Sequence, residues 1–493
     1  MILAIDQGTT GTTCLVFDET GAVLGRATQE IPQHFPRPAW VEHDLRDLWE
    51  ATRATALAAL DAAGAGSGTL RAIGLTNQRE TVCVWDPQTG EPLHRAIVWQ
   101  DRRTAGQCEA LRAAGLEPDV RARTGLVLDP YFSATKIAWL LEHVTGLSER
   151  VAAGRAIFGT VDSWLLWNLT GEHVTDPSNA SRTLLWDRNA GSWSGELCER
   201  FGVPQAALPQ VRDSIGEFGC LRADALPGHG GVPVTAVAGD QQASLFGQAC
   251  LEPGSGKATF GTGTFVLVNA GDVAPAPPDG LLATIAWGIG GRRVHALEAS
   301  IFASGAAVQW LRDGLGIITS AGETEQLARS LDGNDGVYLV PAFAGLGSPH
   351  WDPHARGMIV GLTRGSDRAH LARATLEAIA YQTADAVHAL EAAYGEPLHE
   401  LKADGGASAN RWLMQFQADV LGVPVVVPQI AETTAFGAGL MAGVGAGLFS
   451  LSQVAGLWRE RDRYEPVMGG SERAELLNGW ARAVERSRGW ATA

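Results

Sequence analysis

Positive charge is scarce in this sequence relative to negative. Its 493 residues carry 38 Lys and Arg against 54 Asp and Glu, for a formal net charge of −16 and a pI near 5.2. An acidic chain offers no general field to a polyanion, which argues against nucleic acid as a partner. Any phosphate it binds must be met locally, by backbone amides, a metal ion or placed arginines. Cysteine is scarce and scattered. None of Cys14, Cys83, Cys108, Cys198, Cys220 and Cys250 forms a Cys-x-x-Cys pair, so zinc ribbons and thioredoxin-like chemistry lack support. The cysteines read as small buried apolar residues in a reducing compartment. The apolar run Met1–Ile5 stops at Asp6, too early for an export signal, and no stretch nears 18 apolar residues. A cytoplasmic protein without membrane insertion is expected.

Familiar nucleotide and hydrolase motifs are incomplete. Gly256-Lys257 has the ending of a P-loop, but Ala258 stands where Ser or Thr belongs and Leu251 where the first glycine belongs. Gly261-x-Gly263 has no third glycine at the dinucleotide spacing. His229-Gly230-Gly231 has no accompanying Gly-x-Ser-x-Gly elbow.

What remains is an ordinary globular composition, 45% hydrophobic and 19% charged, in a chain long enough for two large domains with their own cores. The N-terminus reads as strand Ile2–Ile5, polar loop Asp6–Thr13, strand Cys14–Phe17, turn Asp18–Gly21 and strand Ala22–Gly25. An alanine-rich helix follows over Ala51–Ala63. Lys257–Asn269 (KATFGTGTFVLVN) repeats the strand–loop–strand pattern half a chain later. We read a duplicated α/β unit, domains 1–248 and 249–493, each offering one loop to a shared cleft. Ser366 or Asp367 caps a long helix, and Arg473–Arg488 reads as a terminal amphipathic helix.

Glycine lets backbone approach a phosphate closely, threonine adds hydroxyls, and successive amides form an anion nest. A carboxylate beside such a loop, Asp6, makes sense if Mg²⁺ or its waters lie between. Asp240 follows the strand Val232–Ala238, where a strand-end carboxylate faces the ligand crevice and can take a proton from an alcohol. The alternative is a simple helix cap. Arg79-Glu80 pairs a donor fork with an acceptor, as neighbouring hydroxyls require, or else is a surface ion pair. Lys402–Asn410 (KADGGASAN) is a strand, Gly405-Gly406 and a helix start, suited to a flat base or ribose.

These segments resemble the FGGY family of carbohydrate kinases. Both family signatures are present, Tyr131–His143 (YFSATKIAWLLEH) and Gly357–Glu377 (GMIVGLTRGSDRAHLARATLE). WVEHD at 40–44, TNQRET at 76–81, AIVWQDRR at 96–103, AGDQQASLFGQ at 238–248 and ADGGASANRWLMQFQAD at 403–419 resemble the branch that phosphorylates glycerol. The resemblance implies an α/β fold of two actin-like (ribonuclease-H-like) domains flanking a deep ATP and substrate cleft. It implies ATP and Mg²⁺, glycerol as acceptor and sn-glycerol 3-phosphate as product, in a homo-oligomer (dimer or tetramer). It assigns catalysis to Asp240, the general base, and Asp6, the metal-side carboxylate acting through water. Substrate would be held by Arg79, Glu80, Trp99, Tyr131, Asp240, Gln241 and Phe265. Nucleotide would be held by Thr9, Thr10, Gly11, Thr262, Gly305, Gln309, Gly406 and Asn410.

The departures are specific. Thr13 stands where many relatives carry arginine, and Gly11 where serine is usual. Ala299 replaces a glycine, and Trp287 a smaller residue. Gly228-His229-Gly230-Gly231 lacks the arginine with which some relatives bind fructose 1,6-bisphosphate, so inhibition by that effector is expected to be weak or absent. A kinase of another small polyol or ketose, or a non-catalytic actin-like ATP-binding protein, are the other readings. Arg79-Glu80 speaks against the first, and an intact Asp240 beside a polyol pocket against the second.

Overall fold

Short apolar runs broken by glycine and aspartate build two sheets on one plan. In the computed structural model, which describes residues 1–276 and 279–491, the first sheet holds β1 (Ile2–Gln7), β2 (Gly11–Phe17), β3 (Val23–Glu30), β4 (Ala72–Asn77) and β5 (Val234–Gly239), in the order β5-β4-β1-β2-β3. The first three are antiparallel neighbours. β4 runs parallel to β1, and β5 to β4. The second sheet holds β6 (Gly256–Phe260), β7 (Thr264–Gly271), β8 (Leu282–Ile289), β9 (Arg292–Ile301), β10 (Leu401–Asp404), β11 (Val425–Pro428) and β12 (Glu460–Tyr464), in the order β8-β9-β7-β6-β10-β11-β12. Without the edge strands β8 and β12 it repeats the first sheet: three antiparallel strands, then two parallel to the first. The echo between the two glycine–threonine segments is therefore topological.

Element boundaries differ from the sequence expectation. The first loop shrinks from Asp6–Thr13 to the residues between β1 and β2, because Asp6 pairs with Thr13 and Gln7 with Thr12. β3 continues to Glu30. The first helix, α1 (Leu45–Ala62), starts six residues earlier than Ala51, where the Asp44 side chain accepts the Arg46 amide. The terminal helix spans Gly470–Ser487. Five cysteines are buried, but Cys220 is exposed, contrary to the reading of all six as core residues. Among the described residues no helix is long and apolar enough to cross a membrane.

Five more helices position the site. They are α2 (Ser133–His143), α3 (Asp240–Gly247), α4 (Arg368–Tyr394), capped by Asp367 as expected, α5 (Arg411–Leu421) and α6 (Thr433–Gly445). α6 belongs to the second half by sequence, yet it packs on β1, β4, β5 and α3 of the first. Glycine makes this approach possible. A Cβ on Gly437 would stand 1.9 Å from the Ala243 carbonyl oxygen, and one on Gly74 2.1 Å from that of Ala438. Ile2, Ala4, Phe17, Phe246, Leu267, Trp287 and Phe436 share one core drawn from both sheets. Trp287 meets Phe246 edge-on at 5.3 Å, and Ala299 is buried in the second core. Both departures are thus packing features.

Candidate active site

Parallel strands deliver their carboxyl ends to one edge of each sheet, where an open α/β fold binds ligands. On the first sheet these ends present Asp6, the run Asn77–Glu80 and Gly239-Asp240. On the second they present the β6–β7 turn, and Gly405-Gly406 after β10. Gly239, not Asp240, occupies the cap position of α3. That removes the helix-cap alternative and leaves Asp240 as the first helical residue, with 28% of its side chain exposed. One Asp240 oxygen accepts the Gln241 amide at 2.7 Å and lies 3.2 Å from Arg79 Nε. Asp6 is only partly exposed. Burial, then the charge of Asp240, pushes its carboxyl up to about 8.

Arg79 and Glu80 do not pair closely; Nε and Oε1 are 3.9 Å apart. Each is claimed by another residue. Arg79 sends Nη1 to Glu298 at 2.6 Å and Nη2 to the same carboxylate at 3.1 Å, with Gln242 Oε1 at 3.2 Å from Nη1. Arg182 sends Nε to Glu80 at 2.6 Å and Nη2 to Glu298 at 3.0 Å. Four charges thus alternate in a buried box, three from the first half and Glu298 from β9 of the second. Burial alone would raise the Glu298 carboxyl, but the Arg182 and Arg79 guanidiniums prevail and hold it at about 2. Glu80 sits at φ 62, a left-handed backbone that costs a glutamate about 1 kcal/mol or more. Its carbonyl is held by the Ser133 hydroxyl at 3.0 Å.

An aromatic wall stands beside the box. Trp99 meets Tyr131 edge-on at 5.5 Å and Phe265 at 6.4 Å. Trp99 Nε1 donates to Thr9 Oγ1 at 2.8 Å, which ties this wall to the first loop. Lys136, fully buried on α2, donates to the carbonyls of Pro130, Tyr131 and Phe132 at 2.6, 2.7 and 3.2 Å and so fixes the segment carrying Tyr131.

The other side of the cleft is backbone and hydroxyl. Thr10, Gly261, Thr262 and Gly406 are exposed, with nothing within 4 Å of where a Gly406 Cβ would lie. The second loop is stitched to the chain that follows: Gly305 N donates to the Gly261 carbonyl at 3.0 Å, where a Cβ on Gly305 would stand 2.6 Å from that oxygen. Gln309 is exposed nearby along the chain. Asn410 caps α5 through the Leu413 amide at 2.9 Å.

Residues 1–247 match the FGGY family of carbohydrate kinases, N-terminal domain, and residues 256–446 match its C-terminal domain. The chain belongs to the FGGY family of carbohydrate kinases. It is 54% identical over 493 residues to the glycerol kinase of Trichlorobacter lovleyi, covering 99% of both chains. It is 53% identical over 495 residues to that of Dechloromonas aromatica, covering 100% of this chain and 98% of that one. The crystal structure of Plasmodium falciparum glycerol kinase with ADP superposes with a TM-score of 0.92 at 34% identity, over 99% of this chain and 98% of that one. The two-domain α/β kinase fold expected from the sequence is the one observed.

Asp6, Arg79, Trp99, Tyr131, Asp240 and Phe265, all singled out in the sequence, lie together at this strand edge, whereas Arg182, Glu298, Gln242 and Lys257 were not among the expected site residues. Lys257 is fully buried on β6 and donates to Gln241 Oε1 at 2.5 Å and Thr259 Oγ1 at 2.7 Å. A usable signal existed for two of them. Glu298 is the lone acid of an apolar strand (VHALEASI), and Lys257 is a lone cation in another. A single charge inside a buried strand has to be paired. Asp404, within the glycine motif, turns out to be a tie. Its Oδ2 accepts from Ser244, Gln248 and Thr433 at 2.9, 2.8 and 2.8 Å, pinning β10 to α3 and α6.

Proposed function

We propose that this chain transfers the γ-phosphoryl group of ATP to glycerol, giving sn-glycerol 3-phosphate in glycerol catabolism. The observation that carries the reading is the convergence of Asp240, Arg79, Glu80, Gln241 and the Trp99–Tyr131–Phe265 wall at one strand edge. The chain is moreover alike from end to end to proteins named glycerol kinase. In this reading Asp240 takes the proton of the terminal hydroxyl as that oxygen attacks phosphorus in line. Arg79 lies beside Asp240 and keeps its carboxylate in place. Thr9, Thr10, Gly11, Thr262, Gly305, Gln309, Gly406 and Asn410 bind the nucleotide. Among the described residues no cluster of three or more His, Cys, Asp or Glu could hold a metal on its own, so Asp6 fits a divalent cation that keeps its waters and takes further oxygens from the nucleotide phosphates. Mg²⁺ there, held through water, would supply charge neutralisation to the phosphoryl oxygens.

The chain is further proposed to act in the cytoplasm as a dimer or tetramer, with its domains dividing at residues 248 and 249. A coupled assay of ADP formation across glycerol, erythritol, dihydroxyacetone and a ketose tests the activity. Glycerol is expected to give the highest kcat/KM. A preferred ketose, or no polyol-stimulated ATP consumption, would overturn the reading.

A further inference from the structure

The sequence contains three lysines, Lys136, Lys257 and Lys402, among its 38 Lys and Arg residues. None of them points freely into solvent. Lys136 holds three carbonyls, and Lys402 donates to the Gln248 carbonyl at 2.7 Å with its ammonium 4.3 Å from the Trp458 ring. Arginine supplies the other cations. Lysine occurs only where a compact ammonium must meet acceptors at short range, a geometry a planar guanidinium does not match.

Lys257 is the one whose partner is a site residue. It lies on β6, in the Gly256-Lys257 pair that imitates a P-loop ending without being one. Its Nζ is bound to Gln241 Oε1 at 2.5 Å and Thr259 Oγ1 at 2.7 Å. Ammonium donates only, so the atom facing it on Gln241 must be the carbonyl oxygen. The amide nitrogen is thereby turned the other way, and it lies 3.3 Å from Asp240 Oδ2. Lys257, Gln241 and Asp240 form one directed line of donors ending on the cleft carboxylate. Without Lys257 the Gln241 amide would be oriented only by its 3.3 Å contact with Asp240 Oδ2, and a flipped amide would point a carbonyl oxygen at that carboxylate.

We propose that Lys257 is a positioning residue for the phosphoryl acceptor: by fixing the Gln241 amide it presents an N–H, never a lone pair, to Asp240 and to the acceptor alcohol. This rests on the alcohol-kinase reading above. Because Lys257 lies four residues before Gly261, the hairpin that carries the second phosphate loop also sets the acceptor side.

The test is a double-mutant cycle on the full-length enzyme with Lys257→Met, Gln241→Ala and the pair, read as kcat and KM for glycerol and for ATP. Calorimetric glycerol affinity is measured alongside. Lys257→Met is expected to lower kcat/KM for glycerol about tenfold with KM for ATP within twofold, which is ~1.4 kcal/mol. The double variant is expected to be no worse than Gln241→Ala, because Lys257 acts through Gln241. Lys257→Gln, which keeps a donor, is expected to recover part of the loss. Should Lys257→Met fail to fold, the cycle is run with Lys257→Gln, where the same non-additivity is expected. Fully additive losses, or a raised KM for ATP alone, would refute the proposal. So would an unchanged enzyme. A wild type that phosphorylates no alcohol would refute the proposed function instead, which keeps the two failures apart.

Discussion

The two sides of the cleft are built differently. The side proposed to hold the polyol is buried and internally charge-balanced: Arg79, Glu80, Arg182 and Glu298 neutralise one another before any ligand arrives, with only Arg182 Nη1 left without a hydrogen-bond partner within the box. The side proposed to hold the nucleotide is open, with exposed glycines and threonines and, in the first loop, no basic residue. One side spends folding energy to fix its shape and so selects a small ligand by fit. The other leaves amides and hydroxyls unspent, and takes its order from the phosphates. Orientation fixed in advance is worth most where a proton and a bond move together, which is the polyol side.

The sharpest way to break this contrast is Asp240→Asn. It keeps the shape of the side chain and removes proton acceptance, together with the negative charge beside Arg79 and Asp6. A loss of about 10³-fold in kcat is expected, with glycerol affinity by calorimetry nearly unchanged. Retention of more than about a tenth of the wild-type rate, a loss under ~1.4 kcal/mol, would show that the base lies elsewhere.

Glu298→Gln attacks the charge balance itself. It leaves the two buried guanidiniums with Glu80 and the part-exposed Asp240 as their remaining carboxylates, and unpairing a buried ion costs about 3–5 kcal/mol. Denaturant unfolding is expected to show a loss of about 3 kcal/mol. KM for glycerol should rise while KM for ATP stays put. If both KM values rose together, the two sides would not be separately built.

The contrast also explains what the sequence disclosed. Residues of the open side lie in short contiguous runs, GTT and GTGT, whose composition declares a turn near phosphate. Arg79-Glu80 and Asp240 were visible as strand ends. The box was not, because its members are 102, 116 and 219 positions apart and no local pattern joins them. Sequence placed Arg79 opposite a ligand hydroxyl, whereas burial gives its fork to Glu298 first. The return of α6 to the first sheet was equally hidden. Its glycines matter only for what they touch far along the chain, as Gly437 does at Ala243, 194 positions away.

Acid should test the buried side more gently. His43 is 1% exposed, beside Gln78, whose amide lies 3.3 Å from Nδ1, and Gln78 also reaches the Gly8 carbonyl at 3.1 Å. Burial, with His34 adding to it, pushes His43 down to about 4. The unfolded chain therefore binds the proton more readily between pH 6.5 and 4. Stability is full above 6.5 and is lost as pH falls through that window. Urea unfolding at pH 7 and pH 5.5 is expected to differ by about 1.2 kcal/mol from this residue. In His43→Gln that increment should vanish; if it persists, other groups carry it.

The smallest effect expected concerns the first loop, where the open side is poorest. Thr13 is the cross-strand partner of Asp6, so the two side chains share a face. The Thr13 hydroxyl meets only Thr28, at 3.3 Å. An arginine at 13 would stand beside the crowded Asp6 carboxyl and lower its proton affinity while adding a charge near the phosphates. Thr13→Arg is expected to reduce KM for ATP about threefold, ~0.7 kcal/mol at a partly exposed site, and to leave KM for glycerol unchanged. The gain should shrink with added salt, as an exposed charge requires. If KM for glycerol fell instead, the loop would be reporting through Trp99 and its bond to Thr9, and the two sides of the cleft would be coupled where the comparison holds them apart.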